Sequence, residues 1–174
     1  MTLTAELRRR VAWILKGHLE DDNPDTFEAR ARQQLARLST PQEWYLWASE
    51  SHPAQSVAEW RSVLDSPLCD QGTALLVYWR NSPVFFHGDE PAGGWDQYRE
   101  EIALLREVER RTAAGDWPSA VVRFDPAAFQ GFSFLSGEPS EVLARVPEIM
   151  LRPSPGVPVP PLAATDFDWS NGVV

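Results

Sequence analysis

Three groups of residues place chemistry-bearing side chains close together in the chain. Cys69-Asp70 sits at the start of a helix-like stretch. With one of His18, His52 or His87 as base, Cys69 is the chain's one route to thiol catalysis, because a helix N-terminus supplies part of the pKa lowering that a thiolate nucleophile needs. Leu68 precedes it and an apolar helix follows, and free cysteine is among the most buried residue types, so the expectation is a structural thiol. His87-Gly88-Asp89-Glu90, with nearby Asp96, offers nitrogen and oxygen donors on a glycine-rich loop. A divalent ion needs several such donors in fixed convergence, and this spacing matches no established ligand pattern, so a solvated loop is expected. His18-Leu19-Glu20-Asp21-Asp22 reads as a helix end, with a histidine near the negative end of the dipole and acidic linker residues after it. Gly-x-Ser-x-Gly, phosphate-binding, His-Glu-x-x-His and dinucleotide signatures are absent from the sequence. Carboxylates are abundant, but acid–base work needs two environments that split their pKa values, and spacing alone names no such pair. The sequence therefore assigns no catalytic residue, no metal and no cofactor, and the chain reads as a non-enzyme.

The elements that would position these residues are short helices. Asp25-Thr26-Phe27-Glu28, Thr40-Pro41-Gln42-Glu43 and Ser56-Val57-Ala58-Glu59 each set a capping residue three positions before a glutamate, the capping-box spacing. Pro41 falls at the first helical position, where its missing N–H costs nothing. Pro24, Pro41, Pro53 and Pro67 mark tight corners. Apolar stripes follow helical spacing: Leu3, Leu7, Val11, Ile14 and Leu15; Phe27, Ala31, Leu35 and Leu38; Trp44, Trp47 and Ala48; Val57, Trp60, Val63 and Leu64. Residues 69–79 form a fifth helix, capped by Asp70 and apolar almost all round, which should be central to the core. Residues 84–94 read as a loop. A long helix is expected from about Asp96 to Ala114, with Tyr98, Ile102, Leu105 and Val108 inward and Glu100, Glu101, Glu107, Glu109, Arg110 and Arg111 outward, closed by Gly115. Ala120–Phe124 is the best strand candidate, without an evident pairing partner. A last helix covers about 140–146, with one more turn towards Leu151. Residues 153–174 hold five prolines and no basic residue. They read as an extended tail whose Phe167 and Trp169 either dock on the body, the favoured reading, or anchor a partner.

The 174 residues carry 16 basic and 25 acidic groups, a net charge of −9. The balance is +1 over residues 1–38, −3 over 39–83 and −7 over 84–174. Nucleic-acid affinity rests on Lys and Arg neutralising phosphates, so a polyanion is disfavoured as partner. Arg8, Arg9 and Arg10, the sole basic run, diverge by about 100° per residue on a helix and read as a solvated face. An acidic domain either suits a basic protein partner or serves solubility alone. One cysteine excludes a disulfide framework. No apolar run reaches membrane-span length and the N-terminus lacks signal-peptide character, so no membrane and a cytoplasmic location are expected. Of eight tryptophans, Trp44, Trp47 and Trp60 have core spacing. Trp95, Trp117 and Trp169 fall in loops or tail and either anchor a contact surface or cover the core edge.

Pro67-Leu-Cys-Asp-Gln-Gly-Thr-Ala-Leu-Leu-Val-Tyr-Trp79, followed by Ser82-Pro83, resembles a bacterial domain family of unknown function with a Cys-Asp-x-Gly-Thr-Ala-Leu core. Trp44 to His52 and Trp60 to Leu64 look like the helical hairpin before that core. Glu107 to Gly115, Phe124-Asp-Pro126 and Val146-Pro-Glu-Ile-Met150 look like its later landmarks. The resemblance spans roughly residues 39–151. Small acidic domains of this kind occur beside polymorphic toxins, which implies an immunity-type role by analogy. The core motif has a physical reading of its own: Asp70 caps, Gly72 and Ala74 allow close helix contact, and Leu75, Leu76 and Trp79 fill the interior.

The expected architecture is mainly α: a bundle of six or seven short helices in one domain over residues 1–152, at most a minor β element near 120–124, and a Pro-rich tail over 153–174. The expected function is non-enzymatic binding of a basic protein, a candidate toxin, through an acidic face on residues 84–109. Asp89, Glu90, Trp95, Glu100 and Glu101 are the contact residues. The alternatives are an enzyme using Cys69 or the His87/Asp89/Glu90 loop, and a structural homodimer with a swapped tail.

Overall fold

The computed structural model describes residues 3–19, 33, 35–51, 56–91 and 94–168. Seven α-helices lie among them: α1 (Ala5–Leu19), α2 (Pro41–Glu50), α3 (Val57–Leu64), α4 (Gln71–Arg80), α5 (Pro83–His87), α6 (Arg99–Ala114) and α7 (Ser140–Leu143). Single 3-10 turns cover Asp96–Tyr98, Glu148–Leu151 and Ala164–Phe167. Two short strands, β1 (Val122–Arg123) and β2 (Val157–Pro158), pair in parallel. The architecture is mainly α, as the apolar spacing predicts. The Asp25 capping box, the side chain of His18, His52 and Trp169 lie outside the described residues.

Helix α4 is the axis of the core. Every residue from Gly72 to Trp79 is buried, as a helix without a polar face requires. It packs against α2, α6, α5 and β1, while α1 lies across α2 and against the turn at 164–167. Trp44, Trp47 and Trp60 are all buried, and the last two meet edge to face at 6.3 Å. Aromatic pairs prefer that geometry.

Local signals set the helix starts. At α3, Ser56 Oγ accepts the Glu59 N–H at 3.2 Å and Glu59 accepts the Ser56 N–H at 2.7 Å, a complete capping box. At α2, Thr40 Oγ1 accepts the Glu43 N–H, but Glu43 reaches one residue further back, to the Ser39 N–H. It also receives Arg10, whose Nε donates to Oε1 at 2.7 Å. This cap glutamate is fully buried.

Several expectations need correction. Arg8–Arg10 is not a solvated face: Arg10 holds Glu43, and Arg8 holds Asp166 with Nη2–Oδ2 at 2.9 Å. Residues 83–87 form helix α5 rather than loop, because Ser82 turns the chain at φ 52° and Pro83 stands at the first helical position. The last helix ends at Leu143, and Pro147 starts a separate turn at 148–151. The strand's partner lies in the Pro-rich segment: Val122 pairs with Val157 and Arg123 with Pro158.

Residues 154–166 dock on the body rather than trail from it. Ser154 is buried, its hydroxyl accepting the Phe124 N–H at 2.7 Å and donating to the Val122 carbonyl at 3.0 Å. Arg8 also donates to the Pro160 and Pro161 carbonyls. Two glycines make these approaches possible. A Cβ on Gly72 would stand 2.3 Å from the Val122 carbonyl oxygen, so this glycine admits β1 rather than another helix. A Cβ on Gly156, which has φ 102°, would stand 2.4 Å from the Val121 carbonyl carbon.

Candidate functional site

Each chemistry-bearing group of the sequence has a defined place. Cys69 is fully buried, and burial pushes its thiol up to about 12. At neutral pH the sulfur keeps its proton, the opposite of an activated nucleophile. Asp70 does cap α4, accepting the Gly72 N–H at 2.8 Å. It also accepts the Ser119 hydroxyl at 2.9 Å and the N–H groups of Val121 at 2.6 Å and Val122 at 3.2 Å. Both carboxylate oxygens are spent on fixing the strand segment to the helix. Among the described residues, no group of three or more His, Cys, Asp or Glu side chains is placed to hold a metal ion. None of the described helices is long and apolar enough to cross a membrane.

His87 is not a loop ligand. It ends α5 and meets Glu109 of α6, with Nε2–Oε1 at 2.8 Å, while the Tyr78 hydroxyl of α4 donates to the same oxygen at 3.0 Å. Arg106 completes the cluster by donating to Oε2 at 2.7 Å. Glu109 accepts at that distance only if Nε2 carries a hydrogen, which fixes the proton on the nitrogen facing it. Glu109, expected outward, is buried. Burial works to raise its pKa, yet the hydrogen bonds from His87, Arg106 and Tyr78 together hold it below the usual glutamate value. Burial and the adjacent carboxylate push the Tyr78 phenol upward. The cluster ties three helices together.

The five contact residues from the sequence lie along the entry to α6. Asp89 and Glu90 are exposed, and Asp89 pairs with Arg145 at 3.1 Å. Glu100 is exposed and Glu101 half-buried in the first turn of α6. Trp95 is braced, with its ring centroid 5.5 Å from Phe85, 5.7 Å from Phe86 and 6.3 Å from Tyr98. It stands half-buried beside those carboxylates as a fixed aromatic body. Trp117 covers a helix end instead: Arg111 stacks on it at 3.8 Å and its indole donates to Thr112.

Among the described residues a groove of about 870 Å³ opens on the same side, and the sequence did not reveal it. One wall is the α4–α5 corner with Trp79, Pro83 and Phe85; the other is the 129–142 segment with Phe132, Phe134 and Pro139. Asp89 and Glu138 stand at its border. The floor is well supported, since Trp79 donates to the Met150 carbonyl at 2.9 Å and Phe134 lies 6.0 Å from its ring. Phe85 and Phe132 keep 46% and 50% of their surface exposed, unusual for phenylalanine in such surroundings. Ser82 (φ 52°) and Gln130 (φ 45°), the two described non-glycine residues with left-handed backbone, both line this groove. Strain of that kind concentrates where a surface has work to do. The available signal was local composition: Phe124, Phe129, Phe132 and Phe134 crowd a stretch that has no helical or strand period.

Comparison with known proteins finds no matching family model, no matching curated protein and no matching solved structure.

Proposed function

We propose that this chain is a non-enzymatic protein-binding domain, and that its partner is a basic protein of the toxin class for which the Cys69–Leu75 resemblance suggests an immunity role. The observation that carries the reading is the single face formed by the aromatic groove and the acidic entry to α6. Trp95 and Phe85 touch one another there, and Asp89 belongs to both features. Interfaces draw affinity from a few rigid aromatic anchors and selectivity from complementary charge around them. Asp89, Glu90, Glu100 and Glu101 supply the charge, and Trp95 with Phe85 the anchor. A buried, protonated Cys69 and a His87 whose Nε2 is already paired with Glu109 favour binding over turnover.

The test is co-purification and gel filtration of the chain with the products of adjacent genes, coupled to co-expression with any that is toxic. A one-to-one complex and rescue of growth are expected. Glu100→Lys with Glu101→Lys should weaken the complex about tenfold, mainly through association rate and more strongly at low salt. Absence of any complex, together with no rescue, refutes the proposal.

A further inference from the structure

We infer that a cleft between Tyr45, the 123–130 segment and the 158–161 run binds a free α-amino acid with an apolar side chain. The site is separate from the acidic contact residues, and neither reading depends on the other. The cleft encloses about 340 Å³, in the size range of small-molecule sites. Tyr45 of α2, Arg123 of β1, Asp125 and Phe129 line it together with the chain's own 158–161 run.

The Tyr45 hydroxyl carries the inference. Only 5% of this side chain is exposed, yet its hydroxyl has no hydrogen-bond partner among the described residues. Buried polar groups are as a rule bonded, so an orphan of this kind asks for a partner from outside. The Trp44 indole N–H and the Thr73 hydroxyl are sealed away from both partner and solvent. Tyr45 is not among them, and the access it keeps opens on the cleft. Burial, with the Glu50 carboxylate nearby, pushes its pKa upward, so the hydroxyl keeps its proton. Glu50 is itself engaged, accepting the Gln130 amide at 3.1 Å and the Leu162 N–H at 3.3 Å. Tyr45 therefore presents a donor in a fixed place with nothing in the chain to receive it.

Arg123 and Asp125 give the lining one charge of each sign. The Arg123 guanidinium makes no hydrogen bond to the described residues and stands 3.8 Å from Asp125, too far for one. Asp125 spends Oδ1 on the Ala127 N–H and turns Oδ2 towards Arg123. A ligand carrying both a carboxylate and an ammonium answers both side chains, whereas a singly charged one leaves one of them unanswered. Phe129, Ala128, Val159 and the prolines offer its side chain an apolar wall. Arg8 holds that far wall from behind through the Pro160 and Pro161 carbonyls, so a molecule bridging the cleft also fastens the 158–161 run to the body.

The experiment titrates the full chain with L-leucine and L-phenylalanine by isothermal calorimetry. The controls are the matching carboxylic acids without the amine and the matching amines without the carboxylate. Saturable binding is expected for at least one amino acid, and binding about tenfold weaker for both of its analogues. Tyr45→Phe should weaken it about fivefold, the loss of one hydrogen bond. That variant should keep the parent melting temperature, because the hydroxyl it removes bonds nothing in the chain; a lower melting temperature would give the hydroxyl a structural role and overturn the inference. Arg123→Met, a change at a half-exposed side chain, should weaken binding about tenfold. The bound amino acid should also slow proteolytic cutting within 157–168 several-fold. No saturation with either amino acid, equal binding of an analogue, or a Tyr45→Phe variant that binds like the parent would each overturn the site.

Discussion

Replacing Asp70 isolates what holds the two-stranded element to the helical core. Its carboxylate is fully buried and receives four hydrogen bonds: Gly72 N–H and Val122 N–H on Oδ1, Val121 N–H and the Ser119 hydroxyl on Oδ2. Asp70→Ala removes the N-cap of α4, at a cost of about 1 kcal/mol. It also strands three further donors, at about 1 kcal/mol each. The expected loss is about 4 kcal/mol, or about 8–16 °C in Tm for a chain of this size. Asp70→Asn keeps one acceptor oxygen but turns an amide N–H₂ towards the Val121 N–H, and should cost about 2 kcal/mol. Ser119→Ala removes a single donor that can be spared and should cost less than about 1 kcal/mol. Urea unfolding followed by tryptophan fluorescence gives all three values. The order Ser119→Ala, Asp70→Asn, Asp70→Ala is the prediction. An Asp70→Ala variant within about 1 kcal/mol of the parent, or a Ser119→Ala variant as damaged as Asp70→Asn, would refute it.

Other expectations are as direct. Cys69 should resist iodoacetamide in the folded protein at pH 7.5 and react readily in urea, since burial keeps it protonated; equal rates in both conditions would contradict the assigned burial. Glu109 has a folded pKa below its ordinary value of 4.5. Its contribution to stability is therefore complete above that value and disappears as pH falls through the folded pKa. Glu109→Gln should flatten the acid limb of a stability–pH profile, and Glu109→Ala should cost about 3 kcal/mol at pH 7 by leaving His87 and Arg106 without their partner. Gly72→Ala drives a Cβ into the Val122 carbonyl oxygen and should cost about 2–3 kcal/mol by denaturant titration. Arg8→Ala frees Asp166 and the Pro160 and Pro161 carbonyls, so limited proteolysis should cut within 160–168 several-fold faster, with α2 and α4 unaffected.

What the sequence showed was whatever is decided within one turn or one face of a helix. The Ser56–Glu59 box, Pro41 at the start of α2 and the buried sweep of α4 all follow from spacing alone. What it concealed depends on residues far apart in the chain. Arg8 looks like a solvated charge until Asp166 is placed beside it, and a two-residue strand has too short a period to announce its mate. Glu109 lies one residue beyond Val108 and four beyond Leu105, on the flank of the inward stripe, where an isolated-helix reading turns a carboxylate to water. His87 and Tyr78 approaching from two other helices make that position habitable. The groove escaped for the same reason: one wall was read as loop, and the other has no period.

The Arg8–Asp166 clasp spans 158 positions in the chain. A ribosome adding roughly 5–20 residues per second delivers the carboxylate roughly 8–30 s after the guanidinium. For that interval the nascent first helix lacks this partner, and β1, once made, awaits a strand 35 residues further on. Translation that stalls before this stretch would leave a body with its helices made and one seam open, where Arg8 and β1 lack the partners that residues 157–166 supply.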